Sequence, residues 1–302
     1  MLPADMLFLE RGWLSSNCML LIGPEDTALI DAGYHSHVDQ TLSLLRHGLR
    51  ERTLTTLLNT HLHSDHCGGN AAIQACWPDV RTLIPPGCAS YVPEWDERGF
   101  TYRPTGQFCP RFSYDATLEP GSLIQLAGRS WEIHAAPGHD QHSILLFQPD
   151  SGVLLSADAL WEKGFGVVFP EIEGNPGFAD VANTLNLIEK LQPRIIVPGH
   201  GPIFTDLDSA LGHARERLMG FMNEPIKHAN HAAKVMIKFH MMAIHSCTED
   251  EFLSWMTDVE YLHALHEAHF ADQSYLDWGA QLILSLCKNG VLSKQNRMIV
   301  NI

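Results

Sequence analysis

The chain is short of charge, and shortest of positive charge. Only 18% of its 302 residues are Asp, Glu, Lys or Arg, and 20 Lys and Arg stand against 35 Asp and Glu, a formal net charge of −15. A surface that follows a phosphate backbone needs clustered cations, so this balance argues against a nucleic-acid partner. No run approaches the roughly 20 apolar residues of a membrane span, which excludes a spanning helix. The opening MLPADMLFLERGW carries Asp5 and Glu10 where a secretory leader carries basic residues, so a cytoplasmic protein is expected. The seven cysteines are odd in number and form no C-x-x-C pair. Reduced, core-filling thiols are therefore expected rather than a disulfide framework. Internal repeats and low-complexity tracts are lacking too.

What the chain does have is apolar residues, 45% of the total, enough for one large domain with a smaller appendage. NCMLLIG (17–23) and TALIDAG (27–33) read as a hairpin of buried strands, and HVDQTLSLLRHGLR (37–50) has helical spacing. TLLNTH (56–61) is a further strand, NAAIQAC (70–76) a helix and DVRTLIPP a strand. LIQLAG with SWEIHAAPG gives a second hairpin, and SILLFQPDSGVLLSAD two more strands. ADVANTLNLIEKL (179–191) is a helix, followed by the strand RIIVPGHG. Two strand-rich halves with interleaved helices predict an α/β (α+β) fold, a four-layer αββα sandwich. Beyond about residue 207 the pattern turns helical. Thr248 and Glu251 make a capping box, Asn289–Gly290 a helix stop, and VLSKQNRMIV a short strand pair. The expected division is 1–210 for a metal-binding catalytic domain and 211–302 for a small, mainly helical C-terminal domain.

The densest chemistry lies in LLNTHLHSDHCGGN (57–70), with His61, His63, Asp65 and His66 within six positions. Imidazoles and carboxylates are costly to bury and pack poorly, so a loop that concentrates them at a strand end points to a cation. His61 and His63 project to one side of an extended segment, and Asp65 and His66 follow as the chain turns. The donor types suit zinc, and also iron or manganese. Four ligands this close in sequence can hardly all reach one ion. Gly68 and Gly69 let the backbone turn. Three more candidates each follow a buried strand: His139 in APGHD, Asp158 in LLSADAL and His200 in IIVPGHGP.

HLHSDH with His139, Asp158 and PGHGP (198–202) resembles the metallo-β-lactamase superfamily in its broad hydrolase branch, as does IDAG (30–33); the resemblance covers about residues 5–206. It implies that His61, His63 and His139 bind one metal, that Asp65, His66 and His200 bind a second, and that Asp158 bridges them. Asp158 is the choice of glyoxalase II-like, lactonase and nuclease relatives, so antibiotic hydrolysis is not expected. Two divalent ions, zinc foremost, would generate a bridging hydroxide that attacks a small ester, thioester or lactone, with Asp65 also orienting it. Asp31 is a candidate for steadying the ligand loop.

Tyr34, His35, Trp161 and Phe165 are candidate substrate-side residues. The aromatic stretch 87–115 is a candidate cover for the site or a dimer contact. His142 is left open. His228, His231, His263, His266 and His269 read as a solvated helix face, and Cys67 as a non-ligand. The C-terminal unit is similar to the helical or winged-helix appendage of some superfamily hydrolases, suited to shaping an entrance or mediating a homodimer. Rival readings are a mononuclear-iron oxidoreductase of persulfide dioxygenase type and a nuclease, the latter opposed by the charge.

Overall fold

The computed structural model describes residues 1–302. Two sheets lie back to back. The first has β1 (Met6–Leu9), β2 (Cys18–Ile22), β3 (Thr27–Ile30), β4 (Thr56–Leu58), β5 (Arg81–Ile84) and β6 (Ala116–Thr117) in sequence order. Pairing is antiparallel through β3 and parallel beyond it. The second has β7 (Leu123–Leu126), β8 (Arg129–Ala135), β9 (Ile144–Gln148), β10 (Val153–Ala157) and β11 (Ile195–Pro198), antiparallel except for the β10–β11 pair.

Alternation along each strand builds the layers. Met19, Ile30, Leu58, Leu146, Leu155 and Val197 point between the sheets, where they meet Trp131. Their neighbours Leu20, Leu29 and Leu57 point outward onto α1 (Val38–Leu49). The four-residue α2 (Ser64–Cys67) leads into α3 (Asn70–Cys76), whose Ile73 joins the same layer. On the other side Leu145, Leu154 and Ile196 meet later helices. The expected αββα order is the observed one.

Residues 87–115 carry the short helices α4 (Tyr91–Glu94) and α5 (Tyr102–Thr105) around a small core of Trp95, Phe100, Tyr102 and Phe112. After β10 come α6 (Phe169–Ile172), α7 (Gly177–Leu191) and α8 (Leu207–Asn223). Buried Val181, Thr184, Leu185 and Ile188 give α7 the spacing of an amphipathic helix. Helix α8 packs Ala210, Ala214 and Leu218 onto the second sheet, so position 210/211 lies inside a helix of the sandwich.

The remaining helices are α9 (Pro225–Ile244), α10 (Glu249–Asp258), α11 (Glu260–His269) and α12 (Tyr275–Lys288). The capping box of Thr248 and Glu251 is present at α10, and Gly290 adopts φ +69° after α12. The expected pair β13 (Leu292–Gln295) and β14 (Met298–Asn301) gains a third strand, β12 (Ser246–Thr248), against β14. The core of this unit takes in Val167 and Phe169, so it is joined to the loop after β10. No helix is long and apolar enough to cross a membrane.

Candidate metal centre

Strand β4 ends at Leu58, and the histidine segment runs on from its C-terminal end. The ladder continues in other hands: Asp31 N–H donates to Leu58 O (2.8 Å), and Ala32 N–H to His66 O (2.7 Å). Gly68 and Gly69 have ordinary φ values of −60° and −84°. Their role is close approach. A Cβ on Gly68 would lie 2.6 Å from His35 N, and one on Gly69 2.4 Å from Ala32 O.

The seven expected donors fall into two groups, His61 with His63 and His139, and Asp65 with His66, Asp158 and His200; within each, the donor atoms lie within 4.8 Å of one another. In the first group His61 Nε2 is 3.2 Å, and His139 Nε2 2.8 Å, from His63 Nδ1. In the second, His200 Nε2 is 3.1 Å from Asp65 Oδ2. Asp158 faces both: one oxygen is 3.6 Å from His66 Nε2, the other 3.4 Å from His139 Nε2 and 3.8 Å from His200 Nε2.

Protonation sharpens the picture. Burial, with the neighbouring imidazoles, holds His61 well below its ordinary range and His139 at about 4. His139 is therefore neutral, and its Nδ1–H donates to Val167 O at 2.5 Å, which leaves the Nε2 lone pair aimed at His63. The His61, His63 and His139 ring nitrogens thus converge on one point. At His66 burial acts downward, but Asp31, Asp158 and Asp65 outweigh it and push the ring well up. Burial likewise acts to raise Asp65 and Asp158, and the adjacent imidazoles override it and hold both low. Meanwhile His66 Nε2, fully buried, has no hydrogen-bond partner. Converging ring nitrogens and an unpartnered His66 Nε2 beside ionised carboxylates are what divalent cations satisfy, a cation taking the proton's place on His66, and the donor set fits a dinuclear site.

The supports are specific. His66 Nδ1 meets Asp31 Oδ2 at 2.8 Å, and Asp31 also accepts from Thr60 N (2.9 Å) and Thr60 Oγ1 (2.8 Å). The role expected of Asp31 has its geometry. Two glycines admit the ligands: a Cβ on Gly166 would lie 2.4 Å from His139 Nδ1, and one on Gly199 2.2 Å from Asp158 Oδ1.

The donors open into a cavity of about 640 Å³, with Trp13, Trp161, Phe169 and Phe239 among its walls. Trp161 stands where a substrate-side residue was expected, and its Nε1–H donates to Asp158 Oδ1 at 3.2 Å. The other three candidates do not line the cavity. Phe165 is buried with Leu160, Val168 and Phe221 in the outer core of the second sheet, where its apolar ring is packed instead of facing the cavity. Tyr34 is buried behind Phe239 (5.2 Å between rings), and His35 lies between Tyr34 and Phe108. His142 packs over Gly87, outside the cavity. The 87–115 segment reaches the site through Thr101, Thr105 and Gln107. Cys67 is buried against Tyr102 and Cys109 and is not among the donors.

Sequence reasoning missed several residues. Trp13 stacks on His200 with rings 5.4 Å apart and 4° from parallel. Asp140 Oδ2 lies 3.7 Å from His63 Nε2, and its position directly after His139 was the available signal. Helix α9 contributes His231, Lys234, Val235 and Phe239 to the cavity. The solvated-face reading fails for His228, which is buried and accepts from Val168 N at 3.2 Å, and for His231 on the cavity wall. His263 stacks on Tyr275 and His266 Nε2 donates to Gln273 O, both packing roles.

A family profile described as the metallo-beta-lactamase superfamily matches residues 11–200. Among curated proteins, the hydroxyacylglutathione hydrolase of Cyanothece sp. is 31% identical over 185 residues, 59% of this chain and 61% of that one. Its counterpart from Stenotrophomonas maltophilia is 29% identical over 158 residues, 52% of this chain and 50% of that one. The chain thus spans about three-fifths of the first of these relatives and half of the second. Among solved structures, a metallo-beta-lactamase family protein of Thermus thermophilus aligns over 100% of both chains at 17% identity and TM-score 0.59. ETHE1 from Myxococcus xanthus aligns over 72% of this chain and 90% of its own at 19% identity and TM-score 0.54. At such identities these structures speak to the fold alone.

Proposed function

This chain belongs to the metallo-beta-lactamase superfamily, and from that premise we propose that it is a dinuclear metal-dependent hydrolase of a small ester, thioester or lactone, with zinc as the expected metal. The observation that carries the reading is the division of seven donors into two groups that Asp158 joins. Curated relatives bearing the name hydroxyacylglutathione hydrolase favour the thioester among the three.

His61, His63 and His139 would hold one ion, Asp65, His66 and His200 the other, with Asp158 between them. When bound, two divalent ions supply Lewis acidity, activating water near neutral pH and neutralising negative charge that develops on the substrate oxygen. Asp65, held ionised by His66 and His200, offers a carboxylate oxygen that would accept a hydrogen bond from the attacking water and so orient it. The Trp161 N–H fixes the Asp158 carboxylate. Trp13, Trp161 and Phe169 give the cavity beside the donors an apolar lining. In this reading residues 1–210 carry the chemistry and 211–302 close the cavity through α9.

The test is a hydrolysis panel on metal-loaded protein, with Asp158→Ala as the blank. Turnover of thioester or lactone, lost in the variant, is expected. Cleavage of an activated phosphodiester in place of the carbonyl compounds would overturn the reading in favour of a nuclease.

A further inference from the structure

The metal-binding donors occupy only part of the cavity. Four Lys and Arg side chains line it as well, Lys163, Arg217, Lys234 and Lys238, against one carboxylate outside the donor set, Glu162. In a chain with 20 Lys and Arg and 35 Asp and Glu, that local excess is opposite in sign to the whole. Lys238 is already engaged: its Nζ donates to Asn301 Oδ1 (2.6 Å), Ile302 O (2.9 Å) and Val291 O (3.1 Å). The other three make no ion pair, although Arg98, Arg129, Arg215 and Arg297 elsewhere all do.

Arg217 is held in place without being neutralised. Its Nη1–H donates to Phe165 O at 3.2 Å, and its guanidinium carbon lies 5.9 Å from the Phe165 ring centroid. Gly164 makes room for it, since a Cβ there would sit 2.5 Å from the guanidinium carbon. The turn that carries Lys163 is closed by Trp161 N–H donating to Gly164 O (2.7 Å), and Gly166 N–H ties the same loop to Asp158 O (2.9 Å). His231 stands between the fields of Arg217 and Lys234, and these add to burial in holding its ring neutral. A partly buried, positioned guanidinium without a carboxylate loses hydration with nothing to offset the loss until an anion arrives. Val235 and Phe239, also from α9, give the same cavity an apolar stretch.

We propose that Arg217, Lys234 and Lys163 form a subsite for an anionic terminus of the substrate, a carboxylate or phosphate joined to the reacting carbonyl through an apolar segment. This rests on the hydrolase reading for the identity of the reacting group, and on the cavity lining for the rest.

The experiment uses three thioesters that differ only at one end, which carries a carboxylate, a phosphate or a neutral amide. Their non-hydrolysable thioether analogues are titrated calorimetrically against the same full-length protein. Wild type is expected to prefer the charged compounds in both kcat/KM and Kd. Arg217→Gln and, separately, Lys234→Gln should each cut the charged-over-neutral ratio about tenfold or more, the scale of one charge-assisted contact, mainly through KM. Whichever anion shows the larger wild-type ratio is the one the subsite fits. Equal handling of charged and neutral compounds by wild type, or ratios untouched in both variants, would overturn the subsite while leaving the hydrolase reading intact. Arg217-dependent preference for the charged thioether with no thioester turnover would do the reverse.

Discussion

Asp31 Oδ2 lies 2.8 Å from His66 Nδ1, with both side chains withdrawn from solvent. The contact orients the ring: with Nδ1 donating to Asp31, it is Nε2 that faces Asp158, the position where a cation would replace the ring's second proton. Asp31 holds this pose at φ +60°, a region unfavourable for a residue with a Cβ, and Thr60 secures it through backbone and hydroxyl donors. Asp31→Ala should weaken the ion held by Asp65, His66 and His200 by about 10- to 100-fold and affect the His61–His63–His139 ion far less. Competition with a chromophoric chelator, resolved into two steps, measures both. Two unchanged steps would refute the role.

Gly199 is a packing requirement on the same group. A Cβ there would lie 2.2 Å from Asp158 Oδ1 and 3.0 Å from His66 Cε1, and its φ is not positive, so the cost falls on the ligands rather than on the backbone. Gly199→Ala should lose the bridged ion while remaining folded. Gly212→Ala in α8, where a Cβ meets nothing within 4 Å, is the control and should raise stability by about 0.5–1 kcal/mol. Metal content and thermal melts of the two variants decide it.

His228 links stability to pH. Its Nε2 accepts from Val168 N, and burial, with His231 and His269, lowers its pKa to about 4. In the unfolded chain the ring titrates near about 6.5. The unfolded state therefore binds the extra proton between these values. The stabilisation is complete above pH 6.5 and is lost as pH falls toward 4, with a ceiling of about 3 kcal/mol. His228→Gln should be less stable than wild type at pH 7.5 and converge with it near pH 4.5 in denaturant melts. Parallel curves would contradict this.

Much of the site was legible because its donors are local. His61, His63, Asp65 and His66 lie within one turn of chain, and His139, Asp158 and His200 each follow an apolar strand whose buried run is plain in the sequence. The layered sandwich was legible for the same reason, since period-2 alternation marks which face each strand buries. What could not be read is which way a loop side chain turns. Trp161 faces the cavity and Phe165 the core, yet both are aromatics in one glycine-flanked loop. Nor could the cavity wall from α9 be read. Its Ala229, Ala232, Ala233 and Met236 are an ordinary amphipathic face, and that the opposite edge meets donors from distant parts of the chain is a matter of tertiary docking. Strand β12 escaped because three residues after a helix carry no period.

The central claim is a two-ion centre joined by Asp158, and counting bound metal tests it most directly. Elemental analysis of protein loaded with excess zinc and then desalted should find two ions per chain in wild type and one in Asp158→Ala or fewer. A single tightly held ion in wild type, iron in particular, with the Asp65–His66–His200 group unfilled, would contradict the account and leave a mononuclear chemistry in its place.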